Sequence, residues 1–283
     1  AKALVPGRWT LLSALLTFAP SLCLGYNPPI VRQENACMIE LVFLGTSASA
    51  PSIHRGLSAQ MVLYQDLRFL VDCGEGTQRQ ILQSGLGFKR LNRILLTHGH
   101  LDHILGLGGL ISTFARWETI DRLEIYGGRW ALERVRDLIY GVVLRGAPPP
   151  LELVFVEIGP GVILDEEDLE VIAFPVQHRG PGCFGFLFRE KPRRPFLVER
   201  AESLGIPPGP ERRRLVAGES VTLPDGRVIY PDQVLGPPRK GACLAHVGDA
   251  ARVDGLVDVV RDADMLVIEA TYREREMDMA RRF

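Results

Sequence analysis

Short apolar runs, most of them ended by Gly, Asp or Pro, alternate along the chain with polar segments. Runs of about four to eight apolar residues predict buried strands, and longer segments with a period near 3.6 predict helices. A helix is predicted over 129–140, where Ala131, Leu132, Val135 and Ile139 fall on one face. The predicted strands occupy 39–44, 69–72, 93–96, 123–127, 151–158, 169–176, 184–188, 242–249 and 264–271.

Two of these strands, 151–158 and 169–176, are separated by a segment that ends in the acidic residues 165–168. We expect the two strands to pair with each other, with the acidic residues on the solvated surface between them. Strands and helices mixed in this order are typical of an α/β fold.

The stretch 190–240 breaks the pattern, because it is rich in Pro and contains little periodic apolar sequence. Over 189–214, eight basic residues stand against four acidic ones, although the whole chain has a net charge of −1. A long segment without a core of its own is typically functional or disordered. The alternative to a functional insertion is therefore a solvated, disordered one.

Residues 1–37 differ from the rest, with an apolar run at 11–24 that Pro20 interrupts. The run imitates a signal peptide but is too short and broken to span a membrane. Met38 directly precedes the first predicted strand. We expect the main domain to occupy 38–283 and 1–37 to be a non-native or signal-like extension.

Composition limits the classes of function. The 283 residues, 46% of them hydrophobic, suffice for one sizeable domain with an insertion. The small net charge gives no global field for nucleic acid, so any such preference must be local. The five Cys are scattered without a Cys-x-x-Cys pair, which excludes a disulfide framework and favours a reducing cytoplasm.

The strand at 93–96 leads into Thr-His-Gly-His-Leu-Asp-His at 97–103. His98 and His100 are two residues apart and point to the same side of an extended backbone, so both can bind one metal ion. Asp102 and His103 lie one turn further and can reach a second ion. Imidazole nitrogen and carboxylate oxygen are ligands that Zn²⁺ accepts.

This His-x-His-x-Asp-His motif resembles the signature of the metallo-β-lactamase superfamily, which implies a four-layer αββα fold with one or two zinc ions. Two further segments, Gly-Thr-Ser-Ala at 45–48 and Asp-Cys-Gly-Glu-Gly-Thr-Gln at 72–78, narrow the resemblance. Together the three segments resemble the ribonuclease Z family of tRNA 3′-processing endoribonucleases. The fold alone would not fix the function.

The resemblance implies which residues bind the two zinc ions. The first zinc is expected on His98, His100 and His178, the last of which ends a predicted strand. The second is expected on Asp102, His103 and Asp249, with Asp249 touching both ions. Asp102 is also placed to accept or steer the proton of the attacking water.

Two further residues are interpreted with alternatives, and a third, His246, has a single interpretation. Asp72 ends a strand and is expected to accept a hydrogen bond from a metal-binding His; the alternative is that it caps the next helix. Glu269, in Ile-Glu-Ala-Thr, resembles part of the family's His-Glu-Ala-Thr motif. It orients a catalytic His or caps a strand. His246 lies inside a strand and is expected to be structural.

The resemblance also implies the partners. The insertion 190–240 would be a basic, flexible arm that holds the body of precursor tRNA, because Lys and Arg gain affinity by releasing phosphate counterions. The same resemblance implies a homodimer. The scattered Cys and the lack of a spanning segment lead us to expect it in the cytoplasm, without membrane contact. The expected RNA-binding residues are Arg193, Arg194, Arg212, Arg213 and Arg214.

Two other functions remain open on sequence alone. One is a two-zinc hydrolase acting on other phosphodiesters or lactones, and the other is a zinc protein that holds RNA without cleaving it. The basic insertion argues against the first, and the ligand set argues against the second. The family's last two His-bearing segments do not occur before Phe283, so we expect weak binding of the second zinc and low turnover.

Overall fold

Two β-sheets face each other in the part of the chain that the computed structural model describes, residues 38–117, 120–149 and 151–280. The strands of these residues are β1 (Glu40–Gly45), β2 (Ala59–Tyr64), β3 (Leu67–Val71), β4 (Arg93–Leu95), β5 (Arg122–Gly127), β6 (Glu152–Glu157), β7 (Gly161–Asp165), β8 (Leu169–Pro175), β9 (Phe184–Glu190), β10 (Val221–Thr222), β11 (Val228–Ile229), β12 (Cys243–Val247) and β13 (Met265–Ile268).

The first sheet has the order β1-β2-β3-β4-β5-β6, and the second has the order β13-β12-β9-β8-β7. From β3 to β6 the neighbours are parallel, so a helical crossover separates each consecutive pair. The helices are α1 (Thr77–Gln83), α2 (Leu101–Ile104), α3 (Gly106–Trp117), α4 (Arg129–Arg136), a π-helix (Asp137–Leu144), α5 (Val198–Ser203), α6 (Pro210–Val216), α7 (Val257–Val260) and α8 (Met277–Ala280), with short 3₁₀ turns at Pro231–Gln233 and Glu274–Glu276.

Successive side chains of a strand point to opposite faces of its sheet, and this alternation divides the apolar core into layers. In β2, Met61 packs toward the helices of the first sheet, whereas Val62 packs into the cluster between the two sheets. In β8, Val171 faces this inner cluster and Phe174 packs with Leu256 on the far side of the second sheet. Because successive strand residues point to opposite faces, two sheets with helices outside each give the expected four layers. The αββα fold class is therefore confirmed.

The predicted pairing of 151–158 with 169–176 is wrong. β6 joins the first sheet beside β5, while β8 pairs in the second sheet with β7 and β9. The sequence Gly-Pro-Gly at 159–161 interrupts the apolar segment, so that β7 begins as a separate strand in the other sheet. The acidic residues 165–168 form the turn between β7 and β8, not a link from β6.

The predicted helix 129–140 changes character along its length. α4 ends at Arg136, and the chain continues as a π-helix to Leu144. Of the predicted apolar face, Ala131, Leu132, Val135 and Ile139 are buried against the first sheet.

The stretch 190–240 has a small core, and the expectation that it lacks one is wrong. The short helices α5 and α6 and the hairpin β10–β11 surround buried apolar side chains. Its two ends are held together, since the backbone N–H of Glu190 donates to the Ala242 carbonyl at 2.8 Å and Glu190 Oε2 accepts from the Ala242 N–H at 2.7 Å. The buried residues of this core are Ala201, Ile206, Leu215, Val221, Leu223, Ile229 and Val234.

The extension expected at 1–37 lies outside the described residues, and the domain boundary at residue 38 stays a prediction. Within the described ranges, none of the helices has the length and apolar character needed to cross a membrane.

Candidate metal centre

The predicted site residues follow the carboxyl ends of strands in both sheets. Asp72 follows β3 and His98 follows β4, and these two strands are parallel neighbours. In the second sheet β8, β12 and β13 run in the same direction, and His178, Asp249 and Glu269 follow them in turn. The carboxyl ends of strands with one direction lie at the same sheet edge, which places these side chains close together.

A first donor group consists of His98, His100, His178 and Asp249. The ring nitrogens converge, with His98 Nε2 at 2.8 Å and His178 Nε2 at 3.2 Å from His100 Nδ1. Asp249 Oδ2 lies 3.6 Å from His178 Nε2 and 3.9 Å from His98 Nε2. Within this group His98 is buried, and the other three are partly exposed.

A second donor group consists of Asp102, His103 and Asp249. His103 Nε2 lies 3.4 Å from Asp249 Oδ1 and 3.8 Å from Asp102 Oδ2. Asp249 therefore offers one carboxylate oxygen to each group. The Oδ2 of Asp102 is also fixed by the backbone N–H of Ser49, which donates to it at 3.0 Å.

Hydrogen bonds behind two of the rings, those of His98 and His103, set which nitrogen faces the centre. Thr97 Oγ1 donates to Asp72 at 2.8 Å, so it accepts from His98 Nδ1 at 3.0 Å, and the lone pair of His98 is left on Nε2. His103 Nδ1 donates to Asp72 Oδ2 at 2.7 Å, which turns its Nε2 toward Asp249. A carboxylate behind a metal-binding imidazole fixes its orientation and basicity in the same way.

The donor groups fit a metal ion. Ligand atoms around a tetrahedral zinc with bonds of about 2.0–2.1 Å are separated by about 3.3 Å. In the first group the separations lie on both sides of this value, with 2.8 and 3.2 Å between nitrogens and 3.6 and 3.9 Å from two of the nitrogens to Asp249 Oδ2. The Nε2 of His98 offers a lone pair toward the two facing ring nitrogens, and a cation among the three would give that lone pair a partner.

Burial and charge divide the protons among the rings. Burial, together with the charge on His103, lowers the pKa of His98 to about 3. Burial alone would lower the pKa of His103, but the carboxylates of Asp72 and Asp249 raise it to about 10. Burial opposes ionisation of Asp249, yet the hydrogen bond from His103 lowers its pKa to about 2. In the metal-free chain, therefore, His103 is the protonated ring, whereas His98 is neutral and Asp249 is ionised.

Asp72 does not cap the following helix. It is buried, and helix α1 begins at Thr77 after Gly76, without a side-chain cap. Its oxygens are occupied by Thr97 and His103 instead. Of the two interpretations of Asp72 from the sequence, the structure agrees with the first, a hydrogen bond from a His of the motif, which is His103.

Glu269 and His246 line a cavity of about 450 Å³ beside the second donor group. Burial and the charge of Asp249 raise the pKa of Glu269. The His246 ring is buried, its Nε2 lies 2.9 Å from Gln60 Oε1, and burial lowers its pKa to about 4. It belongs to neither donor group, in keeping with the structural role expected for it.

Sequence reasoning missed the contributions of Thr97 and Ser49. Thr97 directly precedes His98, and this adjacency was the available signal. Ser49 is more than fifty positions from Asp102, and only the folded backbone brings its N–H to that carboxylate.

The predicted RNA-binding residues divide into two sets. Arg194 pairs with Asp232 at 2.5 Å, Arg214 pairs with Glu219 at 2.9 Å, and Arg212 donates to the Ile206 carbonyl at 2.7 Å. These three help to hold the insertion together. Arg193 and Arg213 are exposed, and within the described residues their side chains have no ion pair or hydrogen-bond partner.

Comparison with known proteins decides the family. Residues 56–190 match the family model described as the metallo-beta-lactamase superfamily. Ribonuclease Z of Bradyrhizobium diazoefficiens is 47% identical over 245 residues, which are 86% of this chain and 81% of that protein. Ribonuclease Z of Bradyrhizobium sp. strain ORS 278 is 48% identical with the same coverage of both. The chain belongs to the ribonuclease Z family.

Membership in the ribonuclease Z family confirms the resemblance drawn from the segments at 45–48, 72–78 and 96–103. The crystal structure of the short form of human tRNase Z has the same fold, with a TM-score of 0.59 and 26% sequence identity. The similarity covers 86% of this chain and 82% of the human chain.

Proposed function

We propose that the chain is a zinc-dependent endoribonuclease that removes the 3′ trailer from precursor tRNA and leaves a 3′-hydroxyl on the tRNA. The observation that carries the proposal is the pair of donor groups joined by Asp249, in a chain of the ribonuclease Z family. The name of the human structure, a tRNase Z, supports tRNA as the substrate.

The first zinc would be held by His98, His100 and His178 with one oxygen of Asp249, and the second by Asp102, His103 and the other oxygen. A divalent metal in such a site acidifies water and polarises a phosphoryl oxygen. The donors are imidazoles and carboxylates, which zinc accepts.

The residues of the chain would divide the remaining work. The Ser49 N–H holds one oxygen of Asp102, and this leaves the carboxylate in place to accept the proton of an attacking water. Glu269 borders the cavity next to Asp249, and burial and the charge of Asp249 raise the pKa of its carboxyl above the ordinary value. We propose Asp102 and Glu269 as the residues that handle protons during cleavage.

The insertion 190–240 would bind the RNA body through its exposed cations. The described insertion has a core and tied ends, so its basic side chains are carried on a folded unit. Arg193 and Arg213 can reach phosphate without breaking a contact, whereas Arg194, Arg212 and Arg214 would first leave their partners. We further propose a cytoplasmic homodimer, on the family resemblance, and light scattering tests the oligomeric state.

A single-turnover assay tests the proposed reaction, with the chain in excess over a 5′-labelled precursor tRNA. We expect cleavage after the discriminator nucleotide, loss of cleavage with a chelator or in His98→Ala, and recovery of the unchanged chain on adding zinc. The matched control is Glu133→Gln, an exposed carboxylate on α4, which should cleave normally. Cleavage that survives both the chelator and His98→Ala would contradict the proposal. If the chain hydrolysed a lactone or a small phosphodiester but left the precursor tRNA uncleaved, the result would favour another hydrolase of the superfamily.

A further inference from the structure

Trp130 and Arg134 lie one helical turn apart on α4, directly behind the metal-binding loops. The guanidinium carbon of Arg134 is 5.4 Å from the centroid of the Trp130 ring. Trp130 is only partly buried and lies outside the four apolar clusters that the described residues form. Its ring contacts Arg134 on the same helix and the His100 ring, and it belongs to none of those clusters, so packing in the apolar core does not account for its position.

Both residues hold the loop that carries the first two His. Arg134 Nη1 donates a hydrogen bond of 2.7 Å to the carbonyl of Gly99, the residue between His98 and His100. The Trp130 ring meets the His100 ring edge-on, with centroids 5.4 Å apart and an interplanar angle of 90°. At Gly99 itself a Cβ would lie 3.0 Å from Trp130 Cε3, so the loop rests directly on the indole.

The same indole also contacts the loop that carries His178. Gly180 has φ 95°, a conformation that L side chains rarely adopt, and a Cβ there would lie 2.7 Å from Trp130 Cζ3. Glycine therefore allows the loop to bend closely over the ring, two residues after His178. One side chain thus touches the loops that supply His100 and His178, whose facing nitrogens are 3.2 Å apart.

We infer that Trp130 and Arg134 are positioning residues that fix His100 and His178 for the first metal ion. The inference rests on the metal centre proposed above. The two residues act through the ring and backbone of the ligand loops, not on the substrate. Partners that orient metal ligands from behind typically change metal affinity by about 10–100-fold when removed.

Cobalt(II) titration of the metal-free chain tests the inference, because the absorption bands of bound cobalt report its coordination. We expect Trp130→Ala and Arg134→Gln to weaken the step assigned to the first donor group by about 10–100-fold and to alter its bands. Trp130→Phe, which keeps an aromatic ring, should recover most of the affinity. The matched control is Arg136→Gln, since Arg136 lies on the same helix over the Phe155 ring, at 4.7 Å.

The outcomes separate this inference from the metal centre itself. If the unchanged chain binds cobalt normally but Trp130→Ala and Arg134→Gln bind it as tightly with the same bands, the positioning role is wrong. If Arg136→Gln weakened cobalt binding equally, the effect would be a general loss of structure, and this result would also overturn the positioning role. If Trp130→Ala does not fold, Arg134→Gln and Trp130→Phe decide alone. An unchanged chain that binds no cobalt would overturn the proposed centre and this inference together.

Discussion

The Nδ1 of His103 lies 2.7 Å from Oδ2 of Asp72, and both side chains are buried. The same carboxylate accepts hydrogen bonds from the backbone N–H and the hydroxyl of Thr97, directly before His98. Asp72 thereby joins the ends of two parallel strands to one His from each donor group. Asp72 therefore helps to orient both of these His side chains.

Replacing Asp72 with Asn keeps its size and removes its charge. We expect the pKa of His103 to fall and metal affinity to drop by about 10–100-fold. The metal-free fold should also lose stability, by at most about 3–5 kcal/mol, because buried His103 loses one of its two carboxylate partners and keeps Asp249. Urea unfolding and metal titration measure the two effects. The control is Asp66→Asn, an exposed carboxylate at the turn after β2; similar losses in both variants would contradict the role of Asp72.

Metal binding should depend on pH through His103. Its pKa is about 10 in the metal-free chain, so Nε2 must lose a proton before it can bind a metal. Affinity at the second group should therefore fall by about tenfold for each unit by which the pH is lowered below 10. Calorimetry in buffers of different ionisation enthalpy measures the released proton, and binding at neutral pH without proton release would contradict the assignment.

Metal-free stability should respond to pH in the opposite direction. The pKa of His103 is raised above its ordinary value of 6.5, so the protonated ring beside Asp72 stabilises the fold fully below pH 6.5. This contribution is lost as the pH rises from 6.5 through 10. Unfolding is measured with a chelator present at pH 6.5 and at pH 10. The free energy of unfolding should decline less between these two pH values in Asp72→Asn than in the unchanged chain.

Arg213 and Arg212 should behave differently when replaced with Ala. Arg213→Ala should lower the slope of log affinity for tRNA against log salt concentration by about 1, because one phosphate contact is lost. Arg212→Ala should also increase hydrogen exchange within the insertion, since it removes the bonds to the Ile206 carbonyl and the contact with the Phe196 ring. An unchanged slope for Arg213→Ala would show that this residue does not touch RNA.

The sequence was most informative where the determinants are local. His98, His100 and His103 follow a buried strand at fixed spacing, so one short segment predicts that they share a site. The partner of Asp72 was also within reach, because β3 and β4 are parallel and their ends must meet. The contact between Ser49 and Asp102 was not, since it depends on the course of a loop far away in the sequence.

The two wrong expectations have physical causes. β6 and β7 are separated only by Ile158, Gly159 and Pro160, and periodicity does not show that the chain changes sheets there. In the insertion, α5 and α6 have six and seven residues and each contributes one buried residue to the core. Such short elements give no repeating apolar pattern, so a core assembled from single residues of many elements escapes detection.

Metal titration of Asp249→Asn tests the central claim most directly, because Asp249 is the one residue assigned to both donor groups. The unchanged chain should show a tighter step, for the group with four donor residues, and a weaker step, for the group with three. His178→Ala should weaken only the first step and His103→Ala mainly the second, whereas Asp249→Asn should weaken both. Two steps of unchanged affinity in Asp249→Asn, or the loss of one step alone, would contradict the shared metal centre.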